Sequence, residues 1–403
     1  MLDDENGKDK PMHLADEINQ LKGSIRLHPI MSLRTAYRNL EILGYCLEGN
    51  SRVLYNRFTN AKFNYNHHPD AINYERIAIC LKNIVYALMK EVYKLLPVQI
   101  PLNNSSCEPV SCIFASGSET KSEKLLILIH GMGAVRAGQW SRRLMINQSL
   151  QAGSQLPFIL TAQNRGFHVI VTNTNQNVDM ESEIGLVRGS DTPEEHVSYV
   201  WHNFIKNSEY QSIFIVAHSY GGKVIMDLVR KEKCVRDKVT AMALTDSVHT
   251  VKPVDNNTAV WLNRNCVNYV TSDNPVDSFE LSKRYDCQRR SAGTLVHEET
   301  SWKAMTCIFK FFQSAQKQES TSLDNLQQSV KQKLPNSSEE DDKHKTTDIL
   351  STTEGLATEG FITFDSRTYV KWKGKENKEI ADIDVLNNSD SSTNVRFYLI
   401  LAI

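Results

Sequence analysis

Short runs of apolar residues alternate with stretches of helical periodicity through the middle of the chain. Such runs are typical of strands that are buried on both faces of a parallel sheet. Because helical segments separate the runs, successive strands would connect through right-handed crossovers and build a doubly wound sheet. The predicted fold class is therefore α/β with a mostly parallel sheet. Its strands are predicted at Ser111–Ala115, Leu125–Ile129, His168–Thr172, Ile213–Ala217, Val239–Leu244 and Cys266–Thr271.

The N-terminal part of the chain carries two further patterns. Residues of high β propensity flank the turn signal Glu48-Gly49-Asn50, which predicts a small hairpin. Apolar residues from Leu81 to Leu96 repeat at helical spacing, which predicts an amphipathic helix that ends at Pro97. Residues 1–34 are mixed and polar, so we expect a polar lead-in there.

Composition changes after Phe312. Apolar residues make up 40% of the whole chain, below the roughly 45–50% of an average globular domain. From Gln313 onward, 11 Lys and Arg stand against 15 Asp and Glu, and a segment so poor in apolar side chains cannot offset the entropy of ordering. We therefore predict one folded domain over residues 35–313 and a mainly disordered tail over 314–403, with a transient hairpin over Phe361–Trp372.

Charge and cysteine usage exclude several classes of protein. The formal net charge is −1, whereas nucleic-acid binders normally carry a basic face, so no direct contact with nucleic acid is expected. The N-terminus has no apolar signal region, and no run approaches the roughly 20 apolar residues of a membrane span. The eight cysteines show neither C-x-x-C nor zinc-finger spacing. We expect a soluble intracellular chain with reduced cysteines, no cofactor, no metal and no membrane partner.

The sharpest chemical signal is the pentapeptide Ala217-His218-Ser219-Tyr220-Gly221. It lies between a predicted buried strand and a predicted helix, as the G-x-S-x-G nucleophile elbow of α/β-hydrolases does, with Ala in place of the first Gly. Small residues are needed because the turn is sharp and bulk near the serine would clash. The turn would expose the hydroxyl of Ser219 as a nucleophile. The motif therefore predicts an α/β-hydrolase fold.

A second glycine-rich turn, His130-Gly131-Met132-Gly133, follows the predicted strand Leu125–Ile129. In α/β-hydrolases a loop of this kind supplies one backbone donor of the oxyanion hole, and the residue after the nucleophile supplies the other. The backbone N–H groups of Met132 and Tyr220 are therefore the predicted oxyanion donors. Each motif alone also fits an ordinary glycine-rich turn, but their order along the chain favours the hydrolase fold.

The acid and the base of a serine triad should follow the nucleophile in the chain. His297 precedes a predicted amphipathic helix and is the preferred base, with His249 as the alternative. Asp246 follows the strand that comes after the elbow, and Asp277 follows the next strand. Both aspartates preserve the order Ser, Asp, His, and either could instead be a turn or capping residue. We favour Asp246 as the acid and keep Asp277 as the alternative.

Several segments together resemble the Argonaute-binding-protein-two domain family, and in particular its animal cotranscriptional-regulator proteins. They are Val135–Arg143, Thr192–His196, Ala217–Gly222, Leu244–His249 and Ser291–Thr294, and the match extends from Leu40 to Phe312. The resemblance implies an α/β-hydrolase fold with the nucleophile position at Ser219. It also implies a role in alternative splicing at the chromatin–spliceosome interface, with Argonaute and a chromatin remodeller as partners.

The sequence departs from the family that it resembles after the predicted strand ending near Asn173. Family members carry a long insertion rich in Lys and Glu there, and only Gln176–Asp191 fills the gap here. The chain is thus similar to a diverged or shortened paralogue, and we expect it in both the nucleus and the cytoplasm. Two function classes fit, because a fold does not by itself determine a function. We favour an interaction scaffold for Argonaute and chromatin factors on a hydrolase fold and keep a serine hydrolase of the esterase type as the alternative.

Overall fold

Two compact units make up the chain, and they adjoin in sequence between Lys333 and Leu334. The computed structural model describes residues 30–63, 71–105, 108–117, 121–178, 185–282 and 286–333 of the first unit, and strands over 359–363, 368–373 and 383–387 of the second. The predicted lead-in over residues 1–34 lies largely outside the described residues. All of the predicted site residues lie in the first unit.

Helices and strands alternate along the first unit. The helices are α1 (Leu33–Ile42), α2 (Ala71–Glu91), α3 (Arg142–Asn147), α4 (Leu150–Gly153), α5 (Leu156–Gln163), α6 (Pro193–Val200), α7 (Tyr220–Lys231), α8 (Lys233–Lys238), α9 (Asn256–Asn265) and α10 (Thr300–Lys333). A π-helical turn, Trp201–Ile205, follows α6, and a 3₁₀ turn, His297–Glu299, precedes α10. The strands are β1 (Tyr45–Glu48), β2 (Val53–Asn56), β3 (Ala61–Lys62), β4 (Leu95–Ile100), β5 (Ser111–Ser116), β6 (Lys124–Ile129), β7 (His168–Val171), β8 (Ser212–His218), β9 (Val239–Thr245), β10 (Cys266–Val270), β11 (Phe279–Glu280) and β12 (Gln288–Ser291).

A nine-stranded sheet forms the centre of the first unit, in the order β11-β12-β10-β9-β8-β6-β7-β5-β4. The strands from β12 to β7 in this order run parallel, and β11, β5 and β4 pair antiparallel at the two edges. Each strand predicted for this sheet is present to within one residue at each end. The sheet confirms the predicted α/β-hydrolase fold, and the β1–β2 pair confirms the predicted hairpin around Gly49.

The pairing of β8 with β9 contains one irregularity. Ile213 pairs with Val239, but Phe214 pairs with Ala241, so that Thr240 is an extra residue in β9. Beyond it the register is regular as far as His218, which pairs with Thr245. The bulge therefore decides which residues of the two strands lie side by side at their carboxyl ends, where open α/β sheets bind ligands.

Two hydrophobic cores cover the sheet, and neighbouring residues of the central strands alternate between them. Leu126 and Phe214 pack in one core with side chains of α1, α2 and α10. Ile127 and Ile215 pack in the other core with side chains of α6 and α7. Successive side chains of a strand point to opposite faces, and each buried side chain of this size contributes about 1.5–3 kcal/mol. Burial on both faces explains why these strands read as continuous apolar runs.

The predicted end of helix α2 is wrong. The helix ends at Glu91, and the chain reverses through Lys94, which has a left-handed φ of 56°. Leu95 then begins β4, so Pro97 lies inside a strand rather than at a helix end. Since β4 is at the edge of the sheet, it can accommodate a residue that lacks a backbone N–H.

Helix α10 continues past residue 313, where the sequence predicts that the domain ends, and it runs to Lys333. In the second unit β13 (Glu359–Thr363), β14 (Thr368–Lys373) and β15 (Ile383–Asn387) form an antiparallel sheet, and the first two span the hairpin expected over Phe361–Trp372. The division into a domain over 35–313 and a tail over 314–403 stays a prediction. Across the part of the chain that the structure describes, no helix has both the length and the apolarity to cross a bilayer.

Candidate active site

Ser219 lies at the tight turn between β8 and α7, where the sequence predicts the nucleophile elbow. Its backbone has φ 52° and ψ −119°, and such a conformation costs a residue other than glycine of order 1–3 kcal/mol. The N–H of Ser219 donates to the carbonyl of Thr245 at 3.0 Å, and the N–H of Gly222 donates to the carbonyl of Ser219 at 3.1 Å. These bonds hold the strained turn at the N-terminal end of α7, as a nucleophile elbow requires.

Two glycines at the start of α7 allow neighbouring segments to approach the elbow. A Cβ atom on Gly221 would overlap the carbonyl oxygen of His130, and one on Gly222 would overlap the side chain of Ser247. The requirement for small residues therefore has two separate causes, one from the loop after β6 and one from the loop after β9.

The predicted oxyanion loop lies against the elbow. A Cβ atom on Gly131 would come within 3.1 Å of Cβ of Ser219, a tight contact that would require the neighbouring atoms to shift. Tyr220 is the first residue of α7, where backbone N–H groups lack partners within the helix, while its hydroxyl donates to Oε1 of Glu194 at 2.8 Å. Met132 follows Gly131 and has an exposed side chain. Both segments with a predicted donor are thus adjacent, and the role of Met132 and Tyr220 stays a prediction.

The structure brings together His297 and Asp246, the preferred base and acid. Nδ1 of His297 lies 2.6 Å from Oδ2 of Asp246, and Oδ1 of Asp246 accepts from the backbone N–H of Thr271 at 3.1 Å. Because an ionised carboxylate can only accept, Nδ1 carries the proton, and Nε2 of the neutral ring is left as the acceptor. A triad acid holds its histidine in this tautomer.

The same contact shifts the pKa of both groups. The hydrogen bond to Asp246 raises the pKa of His297 above its ordinary value, although partial burial opposes the shift. Burial raises the pKa of Asp246, but the hydrogen bonds from His297 and from the backbone of Thr271 outweigh it, so the pKa is lowered overall. An ionised carboxylate thus lies beside an imidazole that accepts a proton more readily than usual.

The two alternatives from the sequence occupy other positions. Asp277 forms an ion pair with Arg290 at 2.9 Å. Nε2 of His249 lies 2.9 Å from Oδ1 of Asp286, and its Nδ1 lies 2.8 Å from Oγ of Ser247. Asp246 is therefore the aspartate that contacts His297, and His249 is engaged with a different carboxylate.

His218 is a site residue that the sequence analysis did not single out. Its ring centroid lies 4.8 Å from that of His297 and 6.2 Å from that of Trp140. Nδ1 lies 3.0 Å from the carbonyl oxygen of Thr245 and carries the proton of the neutral ring. Burial lowers the pKa of His218 to about 3, and the neighbouring His297 adds to the shift. The buried neutral ring supports one side of His297, and its only signal in the sequence is its place before the nucleophile.

Among the described residues, His249, Asp286 and Cys287 form a group that could hold a metal ion. One donor atom from each residue lies within 4.8 Å of the other two. Burial disfavours a charged imidazole, but the hydrogen bond to Asp286 outweighs it and raises the pKa of His249. The sequence carries no signal for this group, because Asp286 is 37 residues from His249 and that spacing belongs to no metal motif.

Several known proteins are similar to this chain in sequence. The model of the Arb2 domain matches residues 37–276, a range that contains the elbow and Asp246. The cotranscriptional regulator ARB2A of Homo sapiens is 37% identical over an alignment of 317 residues, and the match covers 65% of this chain and 76% of the relative. A cotranscriptional regulator ARB2A homolog of Dictyostelium discoideum is 32% identical over an alignment of 223 residues, and the match covers 47% of this chain and 58% of the relative.

Solved structures that align with the chain include a histone deacetylase and a depolymerase. The histone deacetylase Clr3 aligns with a TM-score of 0.41 and 16% identity, over 63% of this chain and 41% of that chain. The poly(3-hydroxybutyrate) depolymerase LpqC of Bordetella parapertussis aligns with a TM-score of 0.33 and 10% identity, over 56% of this chain and 92% of that chain. The family itself rests on the sequence matches: the chain belongs to the Arb2 domain family, as its resemblance to the animal members predicted.

Proposed function

We propose that the first unit is a serine hydrolase of the esterase type, with Ser219 as nucleophile, His297 as base and Asp246 as acid. The observation that carries this proposal is the 2.6 Å contact between Nδ1 of His297 and Oδ2 of Asp246. It gains weight because the next residue after His218, whose ring lies on His297, is the strained Ser219. A structural ion pair alone would explain the contact, but not the elbow beside it.

Each residue has a defined step in the proposed reaction. Oγ of Ser219 attacks the carbonyl carbon of a carboxylic ester while its proton passes to Nε2 of His297, and Asp246 stabilises the resulting imidazolium. The backbone N–H groups of Met132 and Tyr220 donate to the oxyanion, and each such donor contributes about 10²–10³ in rate. His297 then protonates the leaving alcohol, and water hydrolyses the acyl-enzyme to restore Ser219.

A fluorophosphonate probe on the purified full chain tests this proposal directly. We expect the wild-type chain to be labelled and Ser219→Ala to be unlabelled. Ser212→Ala is the matched control, since Ser212 begins the same strand that ends next to Ser219. Absence of labelling in a folded wild-type chain would contradict the catalytic proposal. Tyr220→Phe should change the rate by less than about threefold, because the oxyanion donor is a backbone group that the substitution keeps.

We propose as a second function that the chain is a cotranscriptional and alternative-splicing regulator, which serves as an interaction scaffold for Argonaute and chromatin factors. The relatives named cotranscriptional regulator ARB2A support this proposal. The test is recovery of Argonaute and a chromatin remodeller with the tagged full chain from nuclear extract. Nuclease treatment should leave the complex intact if no nucleic acid bridges it. Ser219→Ala should bind equally if scaffolding and catalysis are separate, and failure of the wild-type chain to recover either partner would refute the scaffold role.

The location of the chain follows from the same proposal. We expect a nuclear pool, where a cotranscriptional regulator acts, together with a cytoplasmic pool. Imaging of the tagged full chain measures both pools. A chain confined to one compartment would contradict the expected distribution.

A further inference from the structure

Side chains of types that can bind a metal ion meet from two segments of the chain. His249 comes from the loop that follows β9, Asp286 and Cys287 come immediately before β12, and their donor atoms lie within 4.8 Å of one another. The side chains of His249 and Asp286 are 2% and 5% exposed, and Cys287 is fully buried. Polar groups buried in this way are satisfied by hydrogen bonds or by a bound ion.

A second thiol lies next to the first. Val267 pairs with Gln288 in the parallel ladder of β10 and β12, so the residues just before them, Cys266 and Cys287, are also neighbours. Both cysteines are fully buried. The interior at this point therefore holds two sulfur donors, one imidazole nitrogen and one carboxylate.

The imidazole of His249 already has the orientation that a metal ligand requires. Nε2 of His249 faces Oδ1 of Asp286 at 2.9 Å, while Nδ1 faces Oγ of Ser247 at 2.8 Å. In metal sites the ring nitrogen that does not bind the ion usually donates to an oxygen nearby, which fixes the ring and its tautomer. Ser247 is placed to accept that bond, so a metal ion would replace the proton between His249 and Asp286, together with the thiol protons of the cysteines that bind it.

We propose that His249, Asp286 and Cys287 bind one zinc ion, with Cys266 as the fourth donor. Zinc takes nitrogen, sulfur and oxygen donors in tetrahedral sites, with bonds of about 2.0–2.3 Å. Donors that share such an ion lie roughly 3–4 Å apart, and the donor atoms of His249, Asp286 and Cys287, all within 4.8 Å of one another, would draw together around it. A buried set with no open position is the form of a structural zinc site rather than a catalytic one.

The position of the proposed zinc site indicates a structural role. His249 is three residues after Asp246 on the same loop, and Ser247 packs against Gly222 in the first turn of α7. An ion bound to His249 would therefore fasten this loop to the start of β12 and to β10. The inference does not depend on catalysis, because zinc binding can be measured whether or not Ser219 reacts.

Metal analysis of the full chain tests the proposal. We expect the wild-type chain, purified without chelator and dialysed, to contain one zinc per chain by inductively coupled plasma mass spectrometry. After removal of metal with a chelator, titration with Zn²⁺ alone should restore that ratio. Titration with Co²⁺ instead should give the visible bands of a tetrahedral site and a sulfur-to-cobalt charge-transfer band.

Matched variants assign the ligands. Cys287→Ser should lose the bound zinc, whereas Cys112→Ser, which alters a buried thiol on β5 away from the group, should keep it. Ser247→Ala should weaken zinc binding about 10- to 100-fold, as loss of a partner behind a ligand does. If Cys287→Ser fails to fold, the wild-type titrations still decide. A metal-free wild-type chain that binds neither Zn²⁺ nor Co²⁺, or a cobalt complex without the sulfur band, would overturn the proposal.

Discussion

The imidazole rings of His218 and His297 lie 4.8 Å apart, centroid to centroid, with their planes inclined by 37°. Burial and the neighbouring His297 keep His218 neutral at ordinary pH, and the hydrogen bond to Thr245 holds the ring in place. A neutral ring can pack against His297 without repelling it when His297 accepts a proton. Since the side chain of His297 is 39% exposed, the buried ring of His218 supplies a fixed surface that solvent cannot.

Removal of this support should slow the proposed reaction. We expect His218→Ala to reduce the rate of fluorophosphonate labelling about 10- to 100-fold, since misplacement of a catalytic group by about 1 Å has effects of this size. Urea denaturation, run in parallel, allows the rate to be normalised to folded protein. His202→Ala, at a half-exposed histidine on the π-helical turn, is the control. Equal rates in the wild-type chain and His218→Ala would remove His218 from the site.

The two candidate acids can be separated by substitution. We expect Asp246→Asn to lower the labelling rate by about 10³–10⁴, because the amide no longer holds the required tautomer of His297. Asp277→Asn should change it by less than about threefold, since Asp277 pairs with Arg290 in a partly exposed contact of small energy. A larger loss from Asp277→Asn than from Asp246→Asn would reverse the assignment.

The pKa of His297 should lie above 6.5, the ordinary value for histidine, because Asp246 stabilises its charged form. The Asp246–His297 pair therefore stabilises the fold below the pKa of the unfolded chain, and this stability is lost as pH rises through the raised pKa. NMR titration of ¹³C-labelled histidine, with His297→Ala for assignment, measures the value. Asp246→Asn should lower it, and His218 should not titrate between pH 5 and 9. A normal pKa in the wild-type chain would contradict the ion pair.

The strain at Ser219 predicts that two substitutions differ in stability although both abolish the chemistry. Ser219→Gly should be more stable than Ser219→Ala by about 1 kcal/mol, because glycine relieves a positive φ that alanine keeps. Both variants should be unlabelled. Urea unfolding monitored by tryptophan fluorescence gives the difference in the free energy of unfolding. Equal stability of the two variants would show that the elbow stores no strain.

Gly221→Ala tests the close approach of the oxyanion loop. The added methyl group would overlap the backbone carbonyl of His130, and overpacking against backbone costs about 1–3 kcal/mol or more. Gly117→Ala is the control, because its methyl group would meet only the movable end of the Leu96 side chain. We expect a clear loss of unfolding free energy for the first variant and less than about 1 kcal/mol for the second. Equal effects would contradict the tight packing between loop and elbow.

The sheet and the elbow could be predicted because their signals are local. An apolar run such as Ile213–Ala217, followed by small residues, specifies both the strand and the turn within one stretch of sequence. The end of α2 could not be predicted, because Leu95 and Leu96 fit a helix face and an edge strand equally well. The left-handed conformation of Lys94 prevents the helix from continuing, and no glycine marks this position in the sequence.

Within the site, packing between distant segments decides which residues contact each other, and their spacing along the sequence does not reveal those contacts. Asp246 and Asp277 both follow strands, and only the folded loops place one of them against His297. The grouping of His249 with Cys287 likewise depends on the pairing of β9 with β10 and of β10 with β12 rather than on distance along the chain. Single residues and their order can therefore be predicted from the sequence, whereas the contacts between them depend on the fold.

The extra residue in β9 would allow the strand to become one residue shorter without a change in register at its carboxyl end. Since Phe214 pairs with Ala241 beyond the bulge, loss of Thr240 would turn the irregular step into a regular one. His218 would still lie opposite Thr245. The elbow would therefore stay aligned with the loop after β9, which carries both Asp246 and His249. The same loss without a bulge to absorb it would exchange the two faces of the strand. The bulge is therefore a place where evolution can delete a residue from the central sheet without disturbing its chemistry.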